Sequence, residues 1–192
     1  MKVLVVIGHQ HKGSFNHAIA DTVTSELKTN GHEVVYHDLY DEGFDPILPH
    51  EEIPPDAAQD PAVQGHIDDV AAADAYVIIH PNWWGQPPAM LKGWLDRCVR
   101  VGVAYDFTPE GQIQGLLAGR KALVFTTSNT PREVELSHYG DPLENLWKTC
   151  VFGFCGIEHF LRRNFESIVM STPEQRAGWL EEVREIVREH HR

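Results

Sequence analysis

The chain has 192 residues, with 28 Asp and Glu against 16 Lys and Arg, for a formal net charge of −12 at pH 7. That length suits a single domain over residues 1–192, able to bury about 70% of its unfolded surface in one core. The acidic balance, without clustered Lys and Arg, argues against a nucleic-acid surface, and no apolar run approaches the roughly 20 residues that span a bilayer, so neither nucleic-acid binding nor membrane insertion is expected.

In chain order, Lys2 to Ile7 is a continuous apolar strand of the kind covered on both faces of a parallel sheet. It is too short for the apolar region of a secretion signal and has no small-residue cleavage site after it, which predicts a cytoplasmic protein. Gly8 to Asn16 is a polar loop, after which helical spacing begins at Ala18, Ile19, Val23 and Leu27. Gly8 and Gly13 permit close backbone approach, and Ser14 or Asn16 can cap the helix. The helix's amino end carries partial positive charge, which suits a phosphate. The loop matches neither the P-loop nor the Gly-x-Gly-x-x-Gly pattern, and an ordinary capped helix start is the plainer alternative.

Glu33 to Tyr40 reads as a second strand nearer a sheet edge, and Asp41 to Pro61 as an irregular excursion rich in Pro, Asp and Glu. Helical spacing resumes at about Ala62, with Val63, Ile67 and Val70, and leads to a strand at Ala75 to Ile79; Asp68, Asp69 and Asp74 read as solvated. The loop from His80 to Pro88 lies at that strand's carboxyl end, where open α/β sheets bind ligands. Its adjacent Trp83 and Trp84 either plug the sheet edge or wall a flat, partly polar ring system. Pro87 and Pro88 suit the first turn of the next helix, whose apolar positions are Ala89, Met90, Trp94, Leu95 and Cys98.

The aromatic residues of Val101 to Phe107 could line a pocket or a partner surface. Lys121 to Thr127 is the fourth strand, and Ser128 to Pro131 is either a simple turn or a second polar loop whose hydroxyl and amide groups bond a heterocycle. A helix follows Pro142, the fifth strand begins near Ile157, and Ser171 or Thr172 caps a last helix. His190 and His191 read as a solvated end. Cys98, Cys150 and Cys155 form no Cys-x-x-Cys pair, which predicts reduced thiols. The 12 histidines are scattered, and His9-Gln10-His11 has no third ligand nearby, so no metal site is expected.

Five strands alternating with helices predict an α/β fold, a doubly wound five-stranded parallel sheet with helices on both faces, in the flavodoxin-like order 2-1-3-4-5. The run Pro88-Ala89-Met90-Leu91-Lys92-Gly93-Trp94-Leu95-Asp96-Arg97 strongly resembles the NAD(P)H:quinone oxidoreductase family of flavodoxin-like flavoproteins. So do Gly8-His9, Ser14-Phe15-Asn16, Asp38-Leu39-Tyr40, Phe44-Asp45-Pro46, Asp60-Pro61-Ala62, Val103-Ala104-Tyr105 and Thr126-Thr127, in the same order.

The resemblance implies a flavin cofactor, FAD with FMN as the alternative, NAD(P)H as electron donor, quinones or similar electrophiles as acceptors, and a homodimer. It implies that His9, Ser14, Phe15 and Asn16 hold the phosphates and ribityl chain. Pro81, Asn82, Trp83 and Trp84 would flank the isoalloxazine, and Thr126, Thr127, Ser128 and Asn129 would meet its polar edge. Tyr105 and Phe107 would close the substrate pocket from the second subunit, and Gln64 would reach the partner's flavin. The loop after Thr127 departs from the family pattern; Tyr139 falls closest to a catalytic histidine position, and it or the adjacent His138 is expected to donate a proton. Ancillary subunits of potassium efflux transporters resemble the same family, which makes a regulatory flavoprotein the main alternative, with a flavodoxin-like electron carrier after it.

Overall fold

In a computed structural model that describes residues 1–191, the strands are β1 (Lys2–Ile7), β2 (Glu33–Asp38), β3 (Ala75–Pro81), β4 (Tyr105–Phe107), β5 (Ile113–Gly115), β6 (Lys121–Thr127) and β7 (His159–Phe165). The helices are α1 (Phe15–Thr29), α2 (Pro61–Ala72), α3 (Ala89–Cys98), α4 (Arg132–Val134), α5 (Pro142–Asn145) and α6 (Pro173–His190). Five strands pair in parallel in the order β2-β1-β3-β6-β7, which is the expected order once the antiparallel β4-β5 hairpin is set aside.

The period of two along each central strand divides the apolar side chains between two cores. Val3, Val5, Ile7, Val77, Ile79, Leu123 and Phe125 face α1 and α6, whereas Leu4, Val6, Tyr76, Ile78, Ala122 and Val124 face α2, α3 and the segment from Leu143 to Phe152. Two covered faces explain why these strands read as unbroken apolar runs.

The boundaries that differ from the sequence reading have local causes. β2 stops at Asp38 because its carboxylate turns back to accept the amides of Tyr40 and Asp41, both at 3.2 Å. β3 runs on to Pro81, since its pairing with β6 continues through Thr127. Pro87 and Pro88 precede α3 instead of forming its first turn. Pro88 is the N-cap, with an extended backbone (ψ 151°), and Pro87, which precedes a proline, is pushed out of the helical region. The hairpin β4-β5 was not expected, nor were the π-helical turns at Glu135–Tyr139 and Leu146–Gly153. His190 and His191 are buried, not solvated: the end of α6 packs on His159, with ring centroids 4.5 Å apart, and Lys121 Nζ donates to the His190 carbonyl. Cys98 and Cys155 are buried free thiols, the latter pushed up to about 11 by burial, and Cys150 is exposed.

The 41–60 excursion is pinned to α3. Arg97 donates to the Asp45 carbonyl and pairs with Glu52, each at 2.7 Å, and a Cβ on Gly93 would lie 2.2 Å from the Pro46 carbonyl oxygen. Because the obstacle is backbone, Gly93→Ala is expected to destabilise the protein by about 1–3 kcal/mol, read as a lower urea midpoint. An unchanged midpoint would show that Pro46 moves aside freely. Among the described residues no helix is long and apolar enough to cross a membrane.

Candidate functional site

The chain leaves β1 toward β2 on one side and later returns to place β3 on the other, so the crevice between β1 and β3 is the switch point of the sheet. The loops after β1, β3, β6 and β7 meet there. They form a cleft of about 210 Å³ lined by His9, Phe15, Asn16, Pro81, Asn82, Trp83, Thr127, Ser128, Asn129 and Ile168.

Gly8 allows the first loop to pass under α3, since a Cβ there would meet Leu91 Cβ at 2.9 Å. Ser14 is the residue that caps α1: its hydroxyl accepts from the His17 amide and lies 2.9 Å from His17 Nδ1, while His17 Nε2 reaches Asp38 at 3.0 Å. The positively polarised amino end of this helix brings Phe15 and Asn16 into the lining of the cleft. Burial, and then the neighbouring His17, lower the His9 pKa, which keeps that ring neutral. Asn16 is 3% exposed and donates from Nδ2 to Thr127 Oγ1 at 2.9 Å, but its carbonyl oxygen Oδ1 is buried without a partner among the described residues.

Asn82 ties the β3 loop to β6 through its amide and the Thr127 carbonyl (2.7 Å), and its side-chain oxygen accepts from the Gly85 amide at 2.9 Å. Trp83 and Gln86 exchange backbone hydrogen bonds at 3.0 Å around Trp84 and Gly85, which have φ of 57° and 70°. This left-handed backbone costs a non-glycine residue about 1 kcal/mol or more. Its effect is to separate the two indoles. Trp83 turns into the cleft, while Trp84 projects into solvent at the mouth of a second cavity of about 600 Å³, lined also by Asn82, Gly85, Thr130, Glu135, His138, Tyr139 and Pro142.

Most of the expected residues thus gather as a cleft and an adjoining cavity that share Asn82. Thr126 lies beneath them: its hydroxyl donates to Asn164 Oδ1 and accepts from Arg162, so it supports the loop rather than lining it. Tyr105 and Phe107 sit on β4, Tyr105 packing on Phe154 at 4.9 Å, and Gln64 lies on the exposed face of α2, donating to Asp68 at 2.8 Å; none of the three lines the cleft of its own chain. Sequence reasoning missed Ile168, which follows β7, and Glu135, a buried carboxylate that accepts from Asn82 Nδ2 at 3.3 Å. Every carboxyl end of a parallel strand faces the same edge, so the stretch after β7 could have been included on that ground.

The unpartnered Asn16 oxygen fits a ligand that donates a hydrogen bond, the α1 end fits an anion, and Trp83 offers a ring face. A flavin nucleotide carries all three complements. The chain matches the flavodoxin-like fold family over residues 1–190. It is 32% identical over 192 residues to an uncharacterized NAD(P)H oxidoreductase of Haemophilus influenzae, across 94% of this chain and 91% of that protein. An FMN-dependent NADH:quinone oxidoreductase of Vibrio parahaemolyticus is 38% identical over 93 residues, 47% of this chain and 44% of its own. The solved structure of Smu.1420 from Streptococcus mutans superposes with a TM-score of 0.85 at 31% identity, covering 98% of this chain and 100% of that chain.

Proposed function

Because this chain belongs to the flavodoxin-like fold family, we propose that it is a flavin-dependent NAD(P)H:quinone oxidoreductase. When bound, the flavin supplies two-electron chemistry, taking a hydride from NAD(P)H and passing it to a quinone or a similar electrophile. The observation that carries this reading is the cleft at the sheet's switch point, lined by Asn16 with its unpartnered buried oxygen, by Phe15 at the start of the capped helix α1, and by Trp83.

In this reading Ser14, Phe15 and Asn16 bind the phosphate and sugar end at α1, with His9 beside them. Pro81, Asn82 and Trp83 hold the ring, and the loop of Thr127, Ser128 and Asn129 donates to its polar edge, where preorganised donors favour developing negative charge. The cavity of Trp84, His138 and Tyr139 receives donor and acceptor in turn. Tyr139, 64% exposed at the end of a π-helical turn, is the proton donor to the acceptor oxygen, with His138 as its neighbour.

Tyr105, Phe107 and Gln64 belong to a second subunit's site in a homodimer, which accounts for their distance from the cleft of their own chain. The flavin in this reading is FMN, the alternative to the FAD first expected from the resemblance, in keeping with the FMN-dependent Vibrio relative. One flavin-binding domain then occupies the whole chain of a cytoplasmic enzyme. The regulatory-subunit and electron-carrier readings are not favoured, because the similar proteins named by activity are oxidoreductases.

Purified protein is expected to be yellow, to release FMN on heating, and to oxidise NAD(P)H with menadione along parallel double-reciprocal lines, because donor and acceptor use one cavity alternately. Intersecting lines would refute the shared cavity, chromatography showing FAD would refute the choice of flavin, and a colourless protein with no affinity for either nucleotide would overturn the function.

A further inference from the structure

The alternation of β2 sends Asp38 toward α1 and the preceding residue, His37, to the opposite face, beneath α2. A tight turn then brings the chain back: the Glu42 amide donates to the Asp38 carbonyl at 2.9 Å and Gly43 takes φ of 64°. On α2, His66 faces inward one turn before Val70. The three side chains converge at a cavity of about 490 Å³ that shares no lining residue with the flavin cleft or with the cavity of Tyr139.

We propose that His37 Nδ1, Glu42 and His66 Nε2 form a binding site for a divalent transition-metal ion of the zinc class, a role separate from the redox site. His37 Nδ1 lies 3.0 Å from Glu42 Oε1, His66 Nε2 lies 3.4 Å from Glu42 Oε2, and one ligand atom from each residue falls within 4.8 Å of the others. Tetrahedral coordination with metal–ligand bonds of about 2.0–2.1 Å places ligand atoms about 3.3 Å apart, so only small side-chain movements are needed to seat an ion. Two imidazoles and a carboxylate are the donor set that borderline cations prefer, and the open cavity leaves room for a water as the fourth ligand.

The surroundings support His37 as a ligand. Its other nitrogen, Nε2, reaches Asp69 Oδ2 at 3.1 Å, and Asp69 is held in turn by Lys2 Nζ at 3.2 Å. A carboxylate taking the remote N–H of a metal-bound imidazole fixes the ring's tautomer and raises its basicity. Asp45 and Asp60 also line the cavity and add negative potential, while the one arginine of its wall, Arg97, is engaged by Glu52 and Asp45. Coordination does require one exchange. Trp94 Nε1 donates to His66 Nδ1 at 3.3 Å, and with the metal on Nε2 the ring proton moves to Nδ1, so that contact is released. Metal binding is therefore expected to change tryptophan fluorescence.

The flavin-loaded protein, stripped of metal, is to be titrated with Zn²⁺ against a chromophoric chelator and with Co²⁺ by visible absorption. One equivalent per chain is expected, with tetrahedral Co²⁺ bands. Affinity is expected to fall at least tenfold in Glu42→Gln and His37→Ala, by about 10–100-fold in Asp69→Asn, which weakens the carboxylate hold on His37 Nε2, and not at all in His50→Ala. Flavin content and circular dichroism establish that Glu42→Gln is folded. Absence of a stoichiometric site, or an affinity that Glu42→Gln and His37→Ala both leave unchanged, would overturn the proposal. None of these readouts depends on quinone turnover, so they stand or fall apart from the enzymatic reading.

Discussion

Replacing Arg97 with leucine is expected to lower the unfolding free energy by about 3–5 kcal/mol, the range seen when one member of a buried ion pair is removed. The guanidinium is 2% exposed; Nη2 meets Glu52 Oε2 and Nη1 the Asp45 carbonyl, both at 2.7 Å, and the ring of Phe44 lies 5.9 Å away. Without it, the Glu52 carboxylate stays inside with only the Asp60 amide, at 3.1 Å, as a donor among the described residues. The stranded charge, more than the lost attraction, sets the magnitude. Arg97→Leu combined with Glu52→Gln should therefore recover at least about 1 kcal/mol relative to Arg97→Leu alone. Urea unfolding of both variants and of Glu52→Gln closes the cycle. A single-variant loss below about 1 kcal/mol would mean that water reaches this pair. Arg97→Lys is expected to fall between the wild type and the leucine variant, because its ammonium still offsets the Glu52 charge but cannot span the two acceptors that the fork reaches.

The second large effect is a steep loss of stability in mild acid. Burial pushes the His66, His80 and His191 pKa values down to about 4 and that of His190 to about 3. For His80 the neutral tautomer is also fixed by bonding, since Nε2 accepts from Trp147 Nε1 at 2.9 Å and Nδ1 donates to the Pro81 carbonyl at 2.8 Å. These pKa values are depressed in the folded state, so their contribution is complete above the unfolded value near 6.5. It is lost as pH falls toward 4, because the unfolded chain then binds protons the native protein excludes. Each site costs about 1.4 kcal/mol per pH unit in that window, and a typical domain has about 5–15 kcal/mol in all. Urea midpoints between pH 8 and 4.5 should stay level above pH 7 and drop sharply below 6, with a slope equal to two or more protons taken up on unfolding. His190→Leu is expected to flatten that slope. A stability curve level down to pH 5 would contradict the burial of these rings.

Much of this molecule is local chemistry. Lys2 to Ile7 and Lys121 to Thr127 were legible to the residue, because strands buried on two faces need apolar side chains at consecutive positions and polar residues bound them. That Asn16, Trp83 and the Thr127–Asn129 loop would meet at one cleft was legible because all carboxyl ends of parallel strands share an edge. Where a turn depended on contacts made elsewhere, the reading failed. Nothing near Trp84 announces its left-handed backbone; Gly85 packs against Pro142, where a Cβ would approach to 2.7 Å, and Trp84 turns away from its neighbour.

The amino-acid order alone determined the class of the fold, the order of its sheet and the loops that meet at the sheet's carboxyl edge, since periodicity, caps and glycines act over a few residues. Only the tertiary structure decided that His37, Glu42 and His66 share one cavity, that Arg97 anchors the excursion before α2, and that the terminal histidines are buried. Those distances are set by how strands register and helices seat against the sheet, and residues dozens of positions apart carry no local sign of it.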